Sequence, residues 1–311
     1  MTTDTLDLDR ALGFTIPQQS ARGRIVRLGP VLDEILSAHA YPPAIEALLA
    51  EALTLTALVG ATLKDAYGQL TLQTQSDQGI VRLLVCDYRA GELRGYVQFD
   101  ADRLAEGPAD PTLFALFGQG YLAITFDLAT SGERYQGIVP LDGERLADAV
   151  QSYFGQSEQI PTQLQVGFAK APDGRCVAGG LLLQHLPEGE IGRERLHAKV
   201  DHPEWEHVAT LGATMGGDEL ADPRISLETL IWRLFNEETE VRVLPGTTLR
   251  RGCRCTAEHI RSVLAKFPVD ERIEMADEQG LIAVDCAFCS RVFPLRANDL
   301  VAVSSSEGPP A

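Results

Sequence analysis

Lysine is scarce in this chain of 311 residues: Lys64, Lys170, Lys199 and Lys266 are the only four, and none follows a glycine. A Walker-type phosphate-binding loop is therefore excluded. Basic residues as a class are outnumbered, 27 against 44 acidic, which leaves a net charge of -17 and a pI near 4.7. A surface of that sign repels polyphosphate at long range, so nucleic acid is not an expected partner. No His-Glu-x-x-His and no Gly-x-Ser-x-Gly occurs, which removes two common hydrolase signatures. The stretch from His202 to His207 looks metal-like, but reads better as the solvated start of a helix. Asp87 and Glu92 lack a partner base or phosphate loop and read as the rim of a turn.

A secretory leader is not expected either: MTTDTLDLDR carries acidic residues where a leader has positive charge ahead of an apolar run. The most apolar stretch, 44–63, contains Glu46, Glu51 and several threonines, and its large residues recur at helical spacing. It reads as a core helix rather than a membrane span. The expected location is cytoplasmic, where clustered cysteines point to metal or redox chemistry before structural disulfides.

The length allows about two domains. Residues 1–20 are polar and aperiodic and read as a flexible arm. Pro42-Pro43 opens a helix with Ile45, Leu48, Leu49, Ala52 and Leu53 on one face, ending before Gly68. Then come strand-like segments, QLTLQTQ, IVRLLVCDY, ELRGYVQFD, YLAITFDLA and YQGIVPL, a helical stretch from Gly143 to Phe154, and two more strands, TQLQVGFAK and CVAGGLLLQHL. Strands this close together favour antiparallel pairing, so residues 21–190 read as an α+β domain, a mainly antiparallel sheet covered by helices.

Residues 191–250 are expected to form a helical linker. One helix candidate runs from Pro203 to Met215, and Ser226 can cap another in which Leu227, Leu230, Ile231, Leu234 and Phe235 form a stripe beside Trp232. Helices this short do not stand alone in water, so the linker is folded only where its stripe docks, most plausibly on the N-terminal sheet.

Residues 251–303 are too few to hold themselves together by burial, and residues 304–311 read as a disordered tail. The segment contains Cys253-Arg254-Cys255 and Cys286-Ala287-Phe288-Cys289. Two close pairs of thiolates supply the tetrahedral shell that one structural Zn2+ prefers. Around them, Thr256 can cap a helix bearing Ile260, Val263, Leu264 and Phe267, and Ile282 to Phe288 alternate as a strand into a turn. The bland alternative is cysteines left unligated or paired as ordinary disulfides, and His259 is a candidate substitute ligand. Four thiolates leave no open coordination position, so such a site is structural or switchable rather than catalytic. Each pair can be joined by an oxidant with little chain movement, which ejects the metal. The one-residue gap between Cys253 and Cys255 makes the tighter ring, so Cys286 and Cys289 are expected to join first. Cys86 reads as a buried small hydrophobe and Cys176 as more exposed, with no role assigned to it.

The cysteine pattern, together with YGQLTLQTQSDQGIVRLLVCDY, ELRGYVQF, YQGIVPLDG, YFGQSEQIPT and AGGLLLQHLPE, resembles the redox-regulated 33 kDa chaperonin (heat shock protein 33) family over about residues 22–300. That resemblance implies an ATP-independent holdase rather than an enzyme, inactive while reduced and zinc-bound. Activation by oxidative stress with mild unfolding would form the disulfides Cys253-Cys255 and Cys286-Cys289, release zinc and unfold the linker. It further implies unfolding client proteins as partners, ATP-dependent foldase chaperones downstream and a homodimer when oxidised; the core-helix reading of residues 44–63 leaves no membrane partner expected.

Two other classes compete. A zinc-ribbon nucleic-acid-binding or regulatory protein would want a basic face, but residues 251–303 carry 7 basic and 8 acidic side chains. A thiol-disulfide oxidoreductase would use Cys286 and Cys289 catalytically and turn over in an insulin-reduction assay.

Overall fold

A computed structural model describes residues 8–65, 67–186 and 203–297. The expectations for residues 1–7, for the opening of the linker and for the tail fall outside these. The chain divides after Gly252 into two compact units.

In the first unit, β1 (Arg10–Ile16), β2 (Ala21–Leu28), α1 (Pro30–Leu36) and the long α2 (Pro43–Gly60) come first. The meander β3 (Gln69–Ser76), β4 (Val81–Arg89) and β5 (Glu92–Phe99) follows, then α3 (Ala101–Ala105), α4 (Leu113–Phe117), β6 (Gly120–Asp127), β7 (Arg134–Pro140) and α5 (Leu146–Tyr153). The unit closes with β8 (Thr162–Lys170), β9 (Cys176–His185), α6 (Pro203–Ala213), α7 (Gly217–Leu220), α8 (Leu227–Phe235) and the short β10 (Arg242–Val243), β11 (Thr247–Thr248) and β12 (Arg250–Arg251).

The class is α+β as expected, but the strands make two sheets rather than one. Sheet A runs β10-β1-β2-β9-β8, with β11 also on β1, and sheet B runs β12-β5-β4-β3-β6-β7. All pairings are antiparallel except the two-residue β12–β5. Helix α2 touches strands of both sheets and is buried along nearly all of its length. By length and hydropathy alone it could cross a membrane; its burial identifies it as the core helix between the sheets. A helix covered on two sides needs apolar residues all round, which is why Ala and Thr fill the positions between its leucines. Thr54 and Thr56 satisfy their hydroxyls by donating to the carbonyls of Ala50 and Ala52.

Three expectations are corrected. The arm does not extend to residue 20, because Leu12, Phe14 and Ile16 alternate into a buried row and β1 pairs along its whole length with β2. Asp87 is no turn rim: it is buried on β4, where Arg94 donates to it at 2.7 Å and Thr71 at 2.7 Å. Cys176 is buried at the start of β9 rather than exposed. The described part of the linker, 203–250, belongs to the first compact unit, which also takes in Arg251 and Gly252 from the start of the expected metal-binding segment.

The second unit contains α9 (Ala257–Leu264), α10 (Val269–Glu274) and the hairpin β13 (Leu281–Asp285) with β14 (Val292–Arg296). Its core is small: Leu264, Ile282 and Leu295 are buried, with Ile260, Ala276, Val284 and Ala297 packed against them.

Candidate functional site

The four cysteines are brought together from two ends of the second unit. Cys253 and Cys255 lie in the segment ahead of α9, whose start is fixed by the Thr256 hydroxyl accepting the His259 N–H at 3.1 Å. Cys286 and Cys289 lie in the turn joining β13 to β14. That turn is closed by Cys286 N–H to the Arg291 carbonyl at 2.9 Å and Ser290 N–H to the Cys286 carbonyl at 2.8 Å, with Ser290 in the left-handed region at φ +54. Sulfur–sulfur distances are 3.3 Å for Cys253–Cys255, 3.6 Å for Cys253–Cys286 and 3.4 Å for Cys255–Cys289, and all four ligand atoms lie within 4.8 Å of one another. A tetrahedron with Zn–S bonds of about 2.3 Å has edges of about 3.8 Å, so the donor set and its spacing suit one zinc ion. His259 is exposed on α9 and is not among the clustered ligands.

Burial disfavours ionisation of Cys253, Cys255 and Cys286. At Cys253 the Cys255 backbone N–H and the neighbouring thiols outweigh burial and bring the thiol down to about 7. Cys255 and Cys286 are pushed up, by burial first. A divalent ion entering such a set displaces the protons that the remaining thiols hold. The other two cysteines are of a different kind: burial pushes Cys86 well up, and burial followed by the nearby Asp33 carboxylate pushes Cys176 to about 11. Neither is a thiolate at neutral pH.

The stripe of α8 lies against sheet A. Leu227, Leu230, Ile231 and Phe235 are buried, Leu234 is half-buried, and Trp232 faces outward. Ser226 caps the helix by accepting the Thr229 N–H at 3.1 Å. The stripe shares one cluster with Leu12, Phe14, Ile16, Ile25, Leu181 and Leu183 of the sheet and with Trp205 and Val208 of α6. The Phe14 and Phe235 rings sit 5.8 Å apart. His207, at the metal-like stretch, instead meets Glu238 at 2.9 Å, and Glu238 also accepts from Gln19 at 2.9 Å.

Several residues of this interface were not singled out from the sequence. Arg27 is fully buried and donates to the carbonyls of Leu220 at 2.9 Å, of Ile225, and of Glu219 at 3.4 Å. Gly167 and Gly179 let the backbone of α7 lie directly on the sheet: a Cβ at either would come within 1.9 Å of the Gly217 carbonyl oxygen or 2.1 Å of that of Leu220. Glycine inside a strand pattern is a signal of close backbone approach, so TQLQVGFAK and CVAGGLLLQHL already held that clue.

A family model described as Hsp33 protein matches residues 9–295. The 33 kDa chaperonin of Caulobacter vibrioides is 41% identical over 300 residues, covering 94% of this chain and 96% of that one. The protein of the same name from Pseudomonas fluorescens is 35% identical, covering 98% and 97%. A crystal structure of the 33 kDa chaperonin of Thermotoga maritima superposes with a TM-score of 0.74 over 94% of this chain and 96% of its own, at 23% identity, a likeness of fold. A match that runs from β1, through the covered face of sheet A, to the hairpin carrying Cys286 and Cys289 takes in every element among the described residues: the chain belongs to the Hsp33 family.

Proposed function

We propose that this chain is a redox-regulated, ATP-independent holdase that binds unfolding proteins, with the four cysteines as its switch and the linker helices as the cover over its binding face. The observation that carries this reading is the covered face itself. Six large apolar side chains of sheet A lie under α6, α7 and α8, and the chain continues from those helices through β10, β11 and β12 to Cys253.

When bound by Cys253, Cys255, Cys286 and Cys289, zinc supplies the cross-links that a module with three buried apolar residues among those described cannot replace by packing. Each cysteine pair gives two electrons to one peroxide, which takes up two protons and leaves as two waters, and a disulfide forms. In the assembled cage Cys255 is nearly as close to Cys289 as to Cys253, so sulfur proximity alone does not select the pairing. Chain proximity does: as the module loosens, the neighbours Cys253-Cys255 and Cys286-Cys289 stay together while cross-pairs separate. Loss of the module leaves the linker to its own docking and to the two-residue strands β10, β11 and β12, the helices undock, and the apolar face meets client. The oxidised chain would then dimerise and hand clients to ATP-dependent foldases.

The test is zinc release and thiol counting before and after peroxide with mild heat, alongside suppression of client aggregation. One zinc released, four thiols lost and aggregation suppressed only after oxidation are expected. A reduced protein that binds well under one equivalent of zinc would sink the reading. Insulin-reducing turnover by Cys286 and Cys289 would favour an oxidoreductase instead.

A further inference from the structure

The face of sheet A under the linker helices is chemically unlike the rest of this acidic molecule. Strands β1, β2, β8 and β9 contain no aspartate or glutamate at all, in a chain that has 44. Two arginines of this sheet meet the linker, and they stand directly opposite each other on paired strands, Arg10 against Arg27. Like charges in that relation repel unless something neutralises them. The linker does so: Glu228 of α8 meets Arg10 at 3.1 Å, while the Glu219, Leu220 and Ile225 carbonyls turn onto the wholly buried Arg27 guanidinium. Beside the pair lies the apolar ground of Leu12, Ile25 and Leu181.

We propose that this face, once uncovered, selects apolar polypeptide segments that carry carboxylates, and that the linker is the resident example of what it binds. The proposal rests on the holdase reading and deepens it by naming the class of segment preferred. A carboxylate can take both forks of adjacent guanidiniums, whereas a lysine-bearing segment brings a third cation to the same spot. The net charge of -17 pulls the other way and favours basic segments at long range. At about 0.15 M salt the screening length is about 8 Å, so contact chemistry decides.

The experiment uses the full chain, oxidised with peroxide under mild heat, and two labelled peptides followed by fluorescence anisotropy at that salt concentration. One peptide copies residues 217–238, and the other carries Glu228→Lys, the carboxylate that meets Arg10. The copy should bind about tenfold more tightly than the lysine version, and Arg10→Glu in the full chain should remove or invert the preference. Arg10 is about one-third exposed, so its reversal leaves the sheet able to fold. Equal binding of the two peptides, or a preference unchanged by Arg10→Glu, overturns the proposal. Client aggregation assayed in the same samples separates the two readings: suppression without peptide preference sinks only this inference, while neither suppression nor peptide binding sinks the holdase reading with it.

Discussion

Both faces of sheet A are buried, but by covers of different permanence. The inner face meets α2, an 18-residue helix lodged between two sheets. That cover cannot leave without opening both sheets. The outer face meets helices of 11, 4 and 9 residues, lengths that are marginal in isolation. They persist as helices only while docked. The inner contact is built mainly from aliphatic side chains, while the outer one also buries Arg27 and lays peptide groups on Gly167 and Gly179. Desolvating a cation reduces what docking gains, although its three carbonyl partners offset much of that cost. Equal burial therefore does not mean equal resistance to opening: a layer that touches one sheet can peel as a unit of its own.

The second unit, with its four clustered cysteines, sets the upper end of the scale. Structural zinc contributes about 10 kcal/mol or more to folding in small modules. Chelation, or Cys286→Ser, should therefore abolish hydrogen-exchange protection of β13 and β14 while β3 to β6 stay protected. A hairpin still protected in metal-free protein would show that its apolar core suffices.

The comparison of the two faces is broken most directly by a pair of truncations. Leu53→Ala, on α2, should cost about 2–5 kcal/mol and lower the melting temperature of both sheets together. Phe235→Ala, on α8, should cost about 3–5 kcal/mol, and this loss should appear as exchange confined to residues 203–243. It should give a reduced, zinc-bound protein that suppresses client aggregation without oxidant, and Leu230→Ala should behave alike. If Phe235→Ala lowers the sheets' stability as Leu53→Ala does, the two covers form one cooperative unit and the contrast is lost.

A smaller change sharpens the point. Gly167→Ala puts a methyl group against the Gly217 carbonyl, an overpacking worth about 1–3 kcal/mol. It should lower the temperature at which the linker opens, with zinc content unchanged. Gly155→Ala, which meets nothing within 4 Å, is the control and should leave the opening temperature where it was. The smallest effect is expected for Arg10→Ala. Its partner Glu228 is 44% exposed, so the pair contributes at most about 1 kcal/mol, and less in salt. A slight fall in the activation temperature, vanishing at high salt, is the expected reading.

Much of this was legible in the amino-acid sequence. Thr256 and Ser226 read as caps and act as caps, and the α8 stripe has the helical spacing that its burial requires. Other features were hidden for identifiable reasons. In β1, Gly13 and an acidic approach masked the alternation of Leu12, Phe14 and Ile16. Asp87 looked like a turn residue because the partners that make its burial tolerable, Arg94 and Thr71, come from neighbouring strands. The burial of Cys176 comes from its place at the start of β9, where its N–H donates to Asp33 at 2.8 Å.

By itself, then, the sequence determined whatever has a short period or a fixed local spacing: the helices α2, α5, α6, α8 and α9, most strands, the paired cysteines and the shortage of apolar residues around them. These follow from side-chain direction along a helix or strand and from the donor preferences of zinc, which act over a few residues. Only the tertiary structure decided that the strands form two sheets, that α2 lies between them, and that Arg10 and Arg27 face the same cover. Those facts depend on which distant strands pair, as β2 does with β9. Such pairings are settled by the burial available to the whole chain, not by any pattern within one segment.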